Sequence, residues 1–474
     1  MAAISRLKTL GTTTALAVVG TNLLQAADSP TNLVTASTPV QSGNAPAQNW
    51  NWHVQNTDIV QGYPAFPAKY TNPGLNSLPT GGEVRQTVSV DLMAGVRLWP
   101  GAEAHADGLM WQGFGLNNTT GLEAYPSGEA YRIGTKVPNG MIARLFIRQT
   151  IGFGGDQEDI EDDELHLTGR QDVSRLTFTL GRISVADIFD QNTYANAPRT
   201  QFMNWALVNN EAWDYAADDV GYTTGLAVEL NQPDWTWRYG LFQIPKIANN
   251  LTGDDAFLKW PHDSMAEYAP VLNAWAMVTE FERRYTFFNH PGVLRILGFL
   301  NRADMFSYGE AIPLLQANGP GADLTAARAY RLKYGFGLNW EQEIATNIGV
   351  FSRLGWNDGK EQGWMFTDVD YAGTVGLSIK GESWSRPGDT LGLAGVMNGI
   401  THVEQQFLAA GGTGILAGDG ALNYGWEQAL ETYYDFQVWK DVHFSADYQY
   451  IANPAFNRDR GPVSVFGARL HWEF

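Results

Sequence analysis

The sequence predicts an all-β fold, a membrane-spanning antiparallel β-barrel of sixteen strands, with eighteen as the alternative count. Three observations carry this expectation. Apolar and polar residues alternate with period two along many segments, as a sheet with one greasy and one wetted face requires. No run of about 18 apolar residues follows the amino-terminal leader, which excludes a helical span but not one built from strands. The connections also sort by length, short after even-numbered strands and long after odd ones. That asymmetry belongs to a barrel with short periplasmic turns and long extracellular loops. A soluble β-sandwich shares the alternation but has no reason to sort its loops.

Residues 1–26 read as a secretory signal peptide: Arg6 and Lys8, a moderately apolar stretch from Leu10 to Leu24, then small residues at Ala26 and Ala27. The apolar part is short and threonine-rich, which disfavours the alternative of a membrane anchor. Residues 27–49, rich in Ser, Thr, Pro, Asn and Ala, read as a flexible tail. Residues 50–474 form a single barrel domain.

Within it, strands are expected near 50–61, 85–98, 102–114, 141–152, 172–183, 221–230, 235–245, 274–286, 292–302, 331–340, 344–356, 366–381, 389–400, 426–439, 442–451 and 462–474. Around Leu332, one face carries Leu332, Tyr334, Phe336, Leu338 and Trp340, and the other Arg331, Lys333, glycines and Asn339. Val442–Tyr450 and Val463–Phe474 repeat the pattern. Tight turns are expected at Trp99–Ala102, Asn231–Asp234, Asn289–Gly292, Trp340–Glu343, Ser385–Gly388 and Trp439–Asp441. The exception to the loop rule follows the fourth strand, where Asp156–Glu164 holds seven acids in nine positions. It reads as a solvated acidic turn, since it lacks the ordered pattern of a calcium loop.

Composition narrows function. There are no cysteines, so disulfides, thiol chemistry and cysteine-bound metals are excluded, and the net charge of −19 argues against nucleic acid. No cofactor and no metal are expected. The chain has no His-Glu-x-x-His and no Gly-x-Ser-x-Gly, and Gly411–Gly420 lacks the Lys-Ser/Thr of a phosphate loop. Acid pairs are expected by chance among 50 acidic residues, so an enzyme is not indicated. A closed ladder is physically required, because an open sheet edge would leave amides unsatisfied in hydrocarbon.

Alternation turns Arg144 and Arg148 inward, opposite Leu145 and Ile147. It does the same for Glu280, Glu282 and Arg284, and for Arg331, Lys333, Glu427, Glu431, Asp435 and Arg469. Ser184–Val220, 37 residues between the fifth and sixth strands, is too long for a hairpin turn. Its aromatics, carboxylates and amides suit a surface that handles a polar, ring-shaped solute.

Several stretches are similar to the carbohydrate-selective porins of the OprB type: Tyr63-Pro64-Ala65-Phe66 within Trp50–Tyr70, Ala143–Thr150, Val173–Arg182, Asp187–Trp205, Asp214–Asp218 and the last strand. The resemblance spans nearly the whole mature chain; loops 303–330 and 401–424 are least like it. It implies a sixteen-stranded porin passing sugars passively across the outer membrane of a Gram-negative bacterium. It also implies that the long loop folds into the lumen as a constriction, with Asp187, Asp190, Asn192, Arg199 and Trp205 facing the solute. The terminal Phe474 resembles the signal read by the outer-membrane assembly machinery. Expected partners are therefore small carbohydrates, outer-membrane lipid and that machinery, with monomer and trimer both open. Two duller readings stand beside this one: the loop's polar groups only pin it to the wall, and the wall charges only keep the lumen wet. A non-selective pore and a secreted carbohydrate-binding β protein remain the functional alternatives.

Overall fold

The computed structural model describes residues 47–130, 134–246, 248 and 270–474. Its strands are β1 (Trp50–Tyr63), β2 (Glu83–Trp99), β3 (Ala102–Gly113), β4 (Thr135–Gly152), β5 (Gln157–Ile160), β6 (Gly169–Asp172), β7 (Arg175–Ile183), β8 (Thr223–Asn231), β9 (Trp235–Phe242), β10 (Trp275–Phe287), β11 (His290–Phe306), β12 (Arg328–Ala345), β13 (Ile348–Asn357), β14 (Tyr371–Lys380), β15 (Thr390–Gly399), β16 (Glu427–Trp439), β17 (Val442–Ala452) and β18 (Val463–Glu473). Sixteen of them close a barrel in sequence order, every neighbouring pair antiparallel, while β5 and β6 form a separate hairpin. Closure is made by β1 on β18, in register from Gln55 opposite Glu473 to Gly62 opposite Phe466. No strand edge of the barrel is left open, which is what hydrocarbon demands of a sheet.

The wall is inverted relative to a soluble protein. On β12, Phe336 is 57% exposed while Lys333 is 3% exposed. Leu145, Leu180, Ile296, Leu354, Val375 and Phe466 likewise point outward, and Asp91, Thr179, Asn301, Glu431, Gln449 and Arg469 are buried inside. An outer apolar skin over a polar interior is the arrangement of a barrel whose solvent is lipid.

Two-residue turns close several strand pairs, including Pro100-Gly101 and Phe288-Asn289, with Asn289 in the left-handed region (φ 65°). One expected turn is misplaced. β12 continues through Trp340–Glu343 and turns at Thr346-Asn347, Asn347 having φ 74°. The polar residues read as a turn are inner-wall groups: Glu341 accepts from the amide of Thr193 at 2.6 Å, and Glu343 pairs with His290 at 2.7 Å.

The acidic segment is also more ordered than a solvated turn. β5 pairs with β6, flanked by the ion pairs Arg170–Asp159 (3.1 Å) and Arg175–Glu158 (2.7 Å). Between the two strands, residues 161–168 make a strap held by Asn51, whose amide donates to Asp162 (2.7 Å) and to the carbonyls of Asp163 and His166. Gln48 exchanges backbone and side-chain hydrogen bonds with Thr168 and donates to Asp162. The end of the segment read as a free tail is therefore tied down, because it satisfies the strap's polar groups. Residues 1–46, with the leader and most of the tail, lie outside the described residues.

Candidate functional site

The connection from β7 to β8, residues 184–222, leaves the wall and circles the inside of the barrel. It starts with a short 3₁₀ turn, Val185–Asp187, in which Asp187 and the preceding residue Ser184 cap each other's amides. A single helical turn, Trp205–Val208, follows with Asn204 accepting from the amide of Ala206 at 3.0 Å. Between and beyond these turns the loop has no ladder of its own, so its backbone groups must be satisfied elsewhere.

Inward-facing side chains of the wall do that. Glu280 on β10 accepts from the amide of Asp190 (2.8 Å), Glu341 on β12 from Thr193, and Glu431 on β16 from Met203 (2.6 Å) and Asn204 (2.9 Å). Arg469 on β18 donates to the carbonyls of Pro198 and Gln201, both at 2.8 Å, and Arg353 on β13 to that of Leu207. The contacts reach strands on all sides of the barrel, which places the loop across the lumen. Glycines on β13 make room for it: a Cβ at Gly349 would overlap the ring of Tyr194, and one at Gly355 would overlap the amide of Asn210.

What the loop leaves open is a cavity of about 330 Å³. One side carries two guanidinium groups, each shared between two carboxylates. Arg144 makes a bidentate pair with Asp187 (2.8 Å twice) and binds Asp107 at 2.7 Å; Arg199 binds Asp91 at 2.5 Å and Glu129 at 2.9 Å. Such fork-to-fork bonds fix guanidinium planes more firmly than a lysine could. The Tyr222 ring lies 5.2 Å from the Arg144 guanidinium. The same cavity is lined by Trp205, Tyr215 and Phe366, whose ring centroids are 5.2–6.0 Å apart.

Of the residues expected at the site, Arg144, Asp187, Arg199 and Trp205 line this cavity. Six others are buried: Asp190 and Asn192 within the loop, and Glu280, Glu282, Lys333 and Arg469 on the wall. Asp190 is gripped by Arg353 (2.9 Å) and Asn339 (2.7 Å), Asn192 by Asn339 (2.8 Å), Glu282 by Arg238 and Arg295, and Lys333 lies 3.5 Å from Asp214. The hydrogen-bonding capacity of these groups is taken up within the protein: Glu280 and Arg469 serve the loop's main chain, Asp190 and Asn192 are held by wall side chains, and Glu282 is held by wall arginines. Arg148 holds Glu103 (2.9 Å) and the carbonyl of Leu165 in the strap (2.7 Å). Arg331 pairs with Glu310 and Glu361 in the loops beyond the opposite end of the wall. Asp91 and Asp107 were findable, since alternation on β2 and β3 turns them inward. Glu129 and Tyr215 sit on irregular loops that carry no periodic signal, and Phe366, expected at the start of a strand over 366–381, lies in the loop before β14, which begins at Tyr371.

Loop carboxyls add a pH dependence. Burial is the main force raising the pKa of Glu123, Glu211 and Glu404 well above the usual carboxylate range, with Asp368, Glu427 and Asp370 respectively as the next cause. Acids with raised folded pKa values favour the docked loops fully at low pH, and that contribution falls as pH rises through the folded values. The barrel should therefore unfold on heating at a lower temperature at pH 9 than at pH 5, followed by its gel-mobility shift in detergent. Glu123→Gln should narrow that gap; a gap unchanged or reversed contradicts the assignment.

Residues 76–474 match the family described as carbohydrate-selective porin, OprB family. The chain belongs to the carbohydrate-selective porins. A structure of Pseudomonas putida OprB at high pH resembles this porin with a TM-score of 0.67 and 16% identity, covering 90% of this chain and 94% of that one. Pseudomonas aeruginosa OccK2 (0.43, 9% identity, 90% and 97% covered) and Salmonella typhi OmpF with daunomycin (0.44, 8%, 90% and 97%) are more distant. No curated protein matches the chain. The family fixes the class: this is a carbohydrate-selective porin of the Gram-negative outer membrane, a channel whose barrel wall fits a lipid surround.

Proposed function

We propose that this porin passes glucose-like monosaccharides and small oligosaccharides by passive diffusion. On this reading, the cavity beside the long loop is the selective narrowing. The observation that carries it is the pairing in one cavity of two ion pairs, the two-pronged Arg144–Asp187 and Arg199–Glu129, with the aromatic group Trp205, Tyr215 and Phe366. Guanidinium groups donate to ring hydroxyls, carboxylates accept from them, and aromatic faces cover the apolar faces of a pyranose. The braces Asp190, Asn192, Glu280, Glu282, Lys333 and Arg469 hold the narrowing in place without touching the sugar. Residues 1–26 act as a cleaved leader, and the exposed apolar face of β18, ending at Phe474, is the handle for outer-membrane assembly.

Single-channel current measured with increasing glucose tests the reading. Glucose should reduce the current in a saturable way that an inert solute of equal size does not. Trp205→Ala should weaken that block about threefold to tenfold, the range expected when one aromatic contact is lost. Block by glucose no greater than by the inert solute would leave a general pore.

A further inference from the structure

The segment after β4 gives this porin a second station, at the end of the barrel opposite the long loops. The strap between β5 and β6 is anchored to β1 by Asn51 and to β4 by Arg148, and Leu167 on it is buried at 1% exposure. Glu164 at its middle lines the same cavity as Arg144 and Asp187, joined there by Glu473 of β18. Glu164 and Glu473 thus add two carboxylates to the strap side of that cavity's lining.

Basic side chains near them have acidic partners of their own: His53 lies 3.4 Å from Asp162, His166 is 2.9 Å from Asp163 and Arg148 binds Glu103. Glu473 itself has the His471 imidazole 3.6 Å away, a ring that carries charge only when protonated. Higher in the cavity, Arg144 and Arg199 each stand between two carboxylates. Among the described residues lining the cavity, the acids Glu129, Glu164, Asp187, Asp219 and Glu473 outnumber the two arginines. A narrow conduit with low-dielectric walls concentrates ions opposite in sign to its lining.

We propose that the strap makes this porin discriminate among sugars by charge at its exit, with Glu164 and Glu473 favouring amine-bearing monosaccharides over neutral ones and rejecting uronates. The inference rests on the sugar-channel reading above. One unit charge about 6 Å away across water changes the local concentration of a monovalent solute roughly threefold. Two carboxylates acting with opposite sign on an amine and a uronate therefore separate the two by more than tenfold at low salt, less as salt screens them.

Proteoliposome swelling with glucose, glucosamine and glucuronate, together with the reversal potential in a potassium chloride gradient, tests this. Burial, Asp163 and Glu473 hold the Glu164 carboxyl above its usual range, so the measurements are made at pH 8, where more of it is ionised. The intact porin should admit glucosamine at least tenfold faster than glucuronate and show a cation-selective reversal potential. E164Q and E473Q should each reduce the sugar ratio about threefold or more. As the backbone-level control, shortening residues 156–171 to a Gly-Ser turn should reduce it comparably. A ratio near one in the intact porin, or one untouched by both substitutions and the shortened strap, overturns the proposal. If glucose itself does not pass, the sugar-channel reading has failed, and cation selectivity of the current still decides the charge assignment.

Discussion

Replacing Arg353 with methionine should destabilise the barrel by about 3–5 kcal/mol, the usual effect of stripping one partner from a buried ion pair. Arg353 is 2% exposed; it donates to the Asp190 carboxylate at 2.9 Å, to the Asp190 carbonyl at 3.1 Å and to the Leu207 carbonyl at 3.0 Å. Without it, a carboxylate is left buried in the first half of the loop and the helical turn loses its tether. The expected readouts are a fall in the unfolding temperature in detergent and a larger, noisier single-channel conductance as the loop leaves the wall. The double variant Arg353→Met with Asp190→Leu should recover part of the stability, since an apolar pair replaces the orphaned charge. It should not recover all of it, because Asp190 also accepts from the amide of Asn210 and from Asn339. An Arg353→Met porin with unchanged unfolding temperature and conductance would show that the network does not hold the loop.

The second large effect is expected at Arg144. Arg144→Ala leaves Asp107 and Asp187 facing one another with no guanidinium between them, opens the narrowing, and should abolish block by glucose while raising conductance. Arg144→Lys restores a charge but not the two-pronged bond to Asp187, so it should recover assembly better than it recovers glucose block. That divergence separates a solute-contacting arginine from a merely structural one. Equal recovery of both properties by lysine would place Arg144 among the braces.

The barrel was legible because its physics is periodic. A wall one residue thick between lipid and water must alternate, and each of the sixteen alternating segments meets a barrel strand. The misplaced turn at Trp340–Glu343 shows the limit of that logic. Glu341, Gln342 and Glu343 look like turn residues until their partners are seen: Glu341 takes the amide of Thr193 in the loop, and Gln342 and Glu343 bond to His290 on the neighbouring strand. The site was legible in part for the same reason. Alternation turns Arg144 and Lys333 inward alike, yet whether an inward group meets solute or loop depends on where the loop lies, and that is a property of the whole fold. Glu129 comes to the cavity from a connection with no local pattern, and Phe366 from the loop before β14, where alternation extends the expected strand five residues too far.

The wall carboxylates grip the long loop largely through its main chain. Glu280, Glu341 and Glu431 take the amides of Asp190, Thr193, Met203 and Asn204, and Glu427 does the same for Glu123 and Ala124 in a neighbouring loop. A backbone amide is common to every residue except proline, so these sockets are indifferent to most side chains placed above them. The mounting and the selective surface are consequently separable. On the proposed reading of the cavity, substitutions at Trp205 or Arg199 should retune what passes while the frame that positions them stays the same, which would make this loop a place where new solute preferences can be installed.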